Sequence, residues 1–119
     1  ARSQQFTTVT VTGSVMGPPG YIAPEQMTEG GPNPASDQYA LGIMLFELAT
    51  GRLPFEGDDP MQVLFKHIQE PPPAPSTVKP GLPPELDNIV LRMLAKQPSE
   101  RYPSVDDAAA ALESLKSTV

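Results

Sequence analysis

The sequence predicts an all-α fold: four main helices around a buried central helix, preceded by an extended loop over residues 1–20. Three observations carry that prediction. Ser36–Gly51, SDQYALGIMLFELATG, is apolar at Tyr39, Ala40, Leu41, Ile43, Met44, Leu45, Phe46, Leu48 and Ala49. These positions run all the way round a wheel of 3.6 residues per turn, the pattern of a helix covered on every side. A strand is excluded because the run is long, does not alternate and holds the helix formers Leu, Met, Ala and Glu. Second, apolar residues recur at helical spacing in two later segments, at Val63, Leu64 and Ile68 and at Leu86, Ile89, Val90, Met93 and Leu94. Third, the 16 prolines cluster between these segments, where they stiffen loops.

Taken in order, ARSQQFTTVTVTGSVMGPPG is polar, β-branched and punctuated by Gly and Pro, so it reads as an extended loop rich in hydroxyls. Pro24 and Glu25 start a short helical turn within Tyr21–Met27, with proline at a first-turn position. Thr28–Ala35 is a turn-rich loop. Ser36 is the expected N-cap of the central helix, Asp37 places negative charge at the positive end of its dipole, and Gly51 fits the left-handed position that ends it. At 1.5 Å per residue this helix spans about 22 Å. Phe55 anchors the loop that follows. Asp58 or Asp59 caps a helix with Pro60 at its first position, running to about Gln69. Glu70–Leu82 is a proline-rich loop, Pro83 and Pro84 open a helix to about Lys96, and Gln97–Pro103 is a loop holding Arg101. Ser104 caps the last helix, with Asp107 three residues on in a capping-box-like arrangement. No internal repeat is present.

At 119 residues one domain is expected, able to bury roughly two-thirds of its unfolded surface. A net charge of −6 and a pI near 4.6 argue against nucleic acid and anionic membranes as partners. Without cysteine there is neither a disulfide nor a thiolate metal site. The longest apolar run, Ala40–Phe46, is far short of the roughly 20 residues a membrane span needs, and no apolar block after Arg2 suggests a signal peptide. His67, the only histidine, has no evident acid–base or metal partner in the sequence and is expected at the surface or in a groove.

At Gly17–Glu25 (GPPGYIAPE) and Ser36–Leu48 the sequence resembles a protein kinase, specifically a bacterial eukaryotic-type serine/threonine kinase. Ala23-Pro24-Glu25 looks like the motif that closes the activation segment. Ser36-Asp37-x-Tyr39-x-Leu41-Gly42 looks like the start of the helix supporting the catalytic loop. Thr50-Gly51-x-x-Pro54-Phe55 and Pro98-x-x-Arg101-Tyr102 match later motifs in the right order. Each match is weak alone, but the four in register cover nearly the whole chain. The resemblance implies the second half of a kinase C-lobe, with residues 1–27 as activation segment and 28–119 as helical subdomain.

The resemblance also implies roles for particular residues. Asp37 would hold the catalytic-loop backbone as a supporting residue. Glu25 and Arg101 would form the buried ion pair that ties the activation segment to the last helices. Thr10 and Thr12 fall where bacterial relatives carry activating phosphates. Gly17, Pro18, Pro19, Gly20 and Tyr21 would line the pocket for the substrate residue after the phospho-acceptor. Pro18 departs from the family, which has Thr or Ser there; proline supplies neither the hydroxyl nor an N–H. A Gly-rich loop, a phosphate-binding lysine, a catalytic-loop Asp and an Asp–Phe–Gly are all absent, and Ala1-Arg2 looks like the tail of the stretch after the metal-binding Asp. ATP and magnesium are therefore expected for the parent kinase and not for this chain, which is expected to be inactive alone. The implied partners are protein substrates and the rest of a cytoplasmic kinase domain. Self-association through uncovered parts of the central helix is a further expectation. The alternative function is a pseudokinase or interaction scaffold that binds through the Pro60–Gln69 helix and the Pro-rich loops.

Overall fold

The computed structural model describes residues 19–29 and 33–118. Among these, six helices and no strand are found: α1 (Pro24–Glu29), α2 (Pro34–Thr50), α3 (Pro60–Gln69), α4 (Pro75–Val78), α5 (Pro84–Met93) and α6 (Val105–Thr118). Short 3-10 turns at Pro19–Tyr21 and Pro98–Glu100 precede α1 and α6. The all-α expectation holds, with α2, α3, α5 and α6 as the four main helices. No helix of the described residues is long and apolar enough to cross a membrane.

Helix α2 is the centre, but it starts two residues before the expected Ser36. Asn33 is the N-cap. Its side chain accepts from the Ser36 N–H at 2.9 Å, and Ser36 Oγ accepts from the Asn33 N–H at 2.9 Å, completing a capping box. Asn caps as well as Ser does, and Pro34 suits the first helical position, where its missing N–H costs nothing. At the other end Gly51 takes the left-handed conformation, φ 81°, and its N–H donates to the Glu47 carbonyl at 2.7 Å.

The burial of α2 is one-sided, contrary to the all-round burial that its composition suggests. Tyr39, Ile43 and Phe46 are wholly buried and join Ala23, Val90 and Leu94 in the main core. Met44 and Leu48 stay 48% and 81% exposed. The described helices α4, α5 and α6 pack on one flank of α2, and an apolar side chain does not itself determine whether a neighbour covers it. A second core cluster, Ile89, Met93 and Ala108, joins α5 to α6. Gly42 sets the closeness of α2 and α5: a Cβ there would stand 2.9 Å from Met93 Cβ and 3.0 Å from Leu94 Cδ2. No side chain fits without moving one helix.

The remaining elements follow their local chemistry. Asp59 caps α3 by accepting from the Met61 and Gln62 N–H groups at 2.8 and 3.2 Å, ahead of Pro60 at the first position. Its inward face is Val63 and His67, one turn apart, while Ile68 points outward with Met61 and Phe65. This differs from the expected Val63–Leu64–Ile68 face. The Glu70–Leu82 stretch hides the one-turn helix α4, fixed by Asp87, which accepts from Ser76 N–H at 2.9 Å and Ser76 Oγ at 2.5 Å. Helix α5 ends at Met93 rather than Lys96, because Lys96 turns away and donates to the last carbonyls of α3, Lys66 at 3.3 Å and His67 at 2.7 Å. Cations suit a helix C-terminus. Ser104 Oγ accepts from the Asp107 N–H at 3.2 Å at the start of α6.

Candidate functional site

The site is built where α1 and the Pro19–Tyr21 turn meet the core. Ile22 and Ala23 are buried, and the Ala23 N–H donates to Gln26 Oε1 at 2.9 Å, so the chain enters α1 already fixed. Glu25, in the first turn of α1, then meets Arg101. The two lie together as a fork: Nη1 donates to Oε2 at 2.7 Å and Nη2 to Oε1 at 2.8 Å. Both side chains are almost wholly buried, at 0% and 5% exposure. Arg101 also donates from Nε to the Ala95 carbonyl at 2.8 Å and from Nη1 to the Ala35 carbonyl at 2.8 Å, with its guanidinium 4.9 Å from the centre of the Tyr39 ring. One side chain thereby joins α1, the start of α2 and the turn after α5. Planar, bidentate geometry of this kind is available to arginine and not to lysine.

A second clasp, not foreseen from sequence, reinforces the first. Buried Gln38 donates to the Tyr102 carbonyl and accepts from the Tyr102 N–H, both at 3.0 Å. An amide side chain satisfies one backbone donor and one acceptor at once, so it fixes an irregular loop without burying an unpaired group. The signal in the sequence was a lone polar amide inside an apolar helix. Tyr102 is also stacked, with the Arg92 guanidinium 4.1 Å from its ring centre.

The Pro19–Tyr21 turn rests on α2 and α3. Gly20 packs against Leu53, whose Cδ1 would lie 3.0 Å from a Cβ added at that glycine. The Tyr21 hydroxyl donates to Glu47 Oε1 at 2.5 Å. That bond to the carboxylate raises the phenol's pKa, aided by burial and the Glu47 charge. Of the other residues singled out from sequence, Asp37 is exposed on the first turn of α2. Thr10, Thr12, Gly17 and Pro18 lie outside the described residues.

His67 overturns its sequence reading. It is fully buried rather than at the surface or in a groove. Its Nδ1 lies 2.6 Å from the Tyr39 hydroxyl, and the edge of its ring meets Phe55 at 4.8 Å between centroids. Burial is the main cause that pushes its pKa down to about 4; the Lys96 charge adds to this, and the Gly20 backbone opposes it. The ring is therefore neutral at pH 7. Lys96, whose ammonium stands 4.5 Å from the Phe55 ring centre, is itself lowered to about 8, first by burial. Among the described residues no group of three or more His, Asp or Glu could hold a metal ion.

A helical scaffold of this order, with an entering turn locked by a buried arginine fork, defines a recognisable class. A profile of the protein kinase domain matches residues 2–113. The chain is 50% identical over 95 residues, 80% of its length, to the serine/threonine-protein kinase PksC of Streptomyces coelicolor. It is 42% identical over 110 residues, 92% of its length, to PrkC of Bacillus subtilis, and 33% identical over 114 residues, 96% of its length, to PknL of Mycobacterium tuberculosis. This chain belongs to the protein kinase family, and its described helices are those of the C-lobe. It spans 17% of the length of PksC and of PrkC and 29% of PknL.

Proposed function

We propose that this chain supplies the substrate-side turn and scaffold helices of a serine/threonine kinase that transfers the γ-phosphate of ATP to protein hydroxyls. The observation that carries this reading is the Glu25–Arg101 fork, which fixes α1 and the turn before it against the core. In this reading residues 1–27 form the activation segment, with Thr10 and Thr12 as phosphate acceptors, and 28–119 form the helical subdomain. Gly17–Tyr21 receives the residue after the phospho-acceptor, and Asp37 steadies the catalytic loop. ATP and magnesium belong to the parts of the longer kinase that carry the family's phosphate-binding motifs, which this sequence does not hold. Protein substrates and the rest of the kinase domain are the partners.

The test is phosphoryl transfer from labelled ATP with magnesium to a generic protein substrate. The gene's longer product is expected to transfer label, and the 119-residue chain alone to transfer none. Transfer by the chain alone, with contaminants excluded, contradicts the division of labour proposed here. A longer product that binds substrate proteins but transfers nothing favours the pseudokinase alternative, which draws on Pro18 standing where the family carries a hydroxyl.

A further inference from the structure

His67 is wholly buried, and one of its ring nitrogens is unaccounted for among the described residues. Tyr39 Oη has one hydrogen-bond partner among the described residues, His67 Nδ1. If the ring donated from Nδ1, both the Tyr39 proton and the Nε2 lone pair would be buried without partners. If Tyr39 donates, only an Nε2–H is left to satisfy, at the smaller cost. Nε2 is buried and completes no hydrogen bond among the described residues. Besides the Lys96 charge, which opposes protonation, the Gly20 backbone acts on the ring, and it acts in the sense of an acceptor, favouring a protonated nitrogen. Gly20 is the middle residue of the Pro19–Tyr21 turn, which packs on α3, the helix of His67, and on α2, the helix of Tyr39.

We propose that His67 is a positioning residue for the substrate-side turn: it relays from the Tyr39 hydroxyl through its ring to the Gly20 backbone and holds that turn against α2 and α3. The inference rests on the kinase reading for its functional consequence, though not for the latch itself. The ring is wedged between Tyr39 and Phe55, so it has little freedom to rotate away. Tyr21 is tied separately to Glu47, and the two attachments fix adjacent residues of the turn to different elements. Loss of the His67 arm frees the Gly20 end of the turn and loosens the grip on the substrate peptide while leaving ATP use alone.

Three measurements test this. The chain holds a single histidine, so its ring nitrogens give one set of resonances. At pH 7 they are expected to show a neutral ring protonated at Nε2; protonation at Nδ1 overturns the relay without any variant. Hydrogen exchange over Gly20–Ala23 is expected to be at least about tenfold faster in His67→Phe than in the unmodified chain. It should be nearly restored in His67→Gln, whose amide can donate to the same backbone. Equal exchange in all three overturns the proposal. In the longer kinase, His67→Phe is expected to raise KM for a substrate peptide about fivefold or more with KM for ATP within about twofold, and His67→Gln to stay near the unmodified enzyme. Parallel changes in both constants, or none, contradict a positioning role. If the unmodified kinase transfers no phosphate, the kinase reading falls, and the tautomer and exchange measurements still decide the latch.

Discussion

Replacing Arg101 with alanine is expected to cost about 3–5 kcal/mol of folding stability, a large fraction of the roughly 5–15 kcal/mol that holds a domain. The size follows from what is left behind. Glu25 is 6% exposed, and without Arg101 its carboxylate would be buried with its forked donor gone. The Ala35 and Ala95 carbonyls would lose their donors in the same step. Glu25→Gln is expected to cost less when Arg101 is already absent, because the charge that needed compensation is gone. Urea unfolding of the four members of this cycle measures both effects. Additive losses, or an Arg101→Ala cost below about 1 kcal/mol, would show that the fork contributes no more than a surface pair does.

His67 is expected to make stability depend on pH in a window where carboxylates alone would not. Its ordinary pKa of 6.5 holds in the unfolded chain and is pushed down to about 4 in the folded one. Between those values the unfolded state binds more protons, so stability rises with pH across the window. It is fully present above about 6.5 and falls as the pH drops toward 4. The whole effect is on the order of 3 kcal/mol. The charged and titratable groups around the ring are Lys96, which opposes protonation, and Tyr39, whose phenol is raised well above its ordinary value, first by burial. Unfolding free energies between pH 4 and 7 should therefore slope more steeply for the unmodified chain than for His67→Gln. Identical slopes would mean that the ring is not buried neutral.

How much of this was legible in the sequence depends on how far apart the partners lie. A cap at Asp58 or Asp59 before Pro60, Ser104 with Asp107, and Gly51 at its helix end were all readable, because each motif is closed within a turn of chain; the structure selects Asp59. Even there the expected N-cap, Ser36, was three residues late: Asn33 caps the helix, with Pro34 at its first position and Ser36 closing the capping box. The all-α class was readable from periodicity, but the exposed side of α2 was not: Met44 and Leu48 have the composition of a core and lack its neighbours. Glu25 and Arg101, 76 residues apart, were nominated by family resemblance alone, since neither composition nor spacing could pair them. His67 was misread for the same reason. Its hydroxyl partner is 28 residues away on another helix, and a lone histidine on an amphipathic helix carries no sign of which way it faces. Gln38, whose partner Tyr102 lies 64 residues on, left only the trace of an amide in an apolar run.

In the proposed function, the substrate chain lies on the Pro19–Tyr21 turn, which packs on α2 and α3 next to the helix that carries the arginine fork. A serine peptide bearing a photoreactive residue immediately after the acceptor tests this most directly. Irradiated with the longer kinase and mapped by mass spectrometry, it is predicted to attach within Gly17–Tyr21, and to attach less in His67→Phe. Attachment instead to the exposed face of α3, at Met61, Phe65 or Ile68, or to α6, would contradict the claim and place the substrate elsewhere on the molecule.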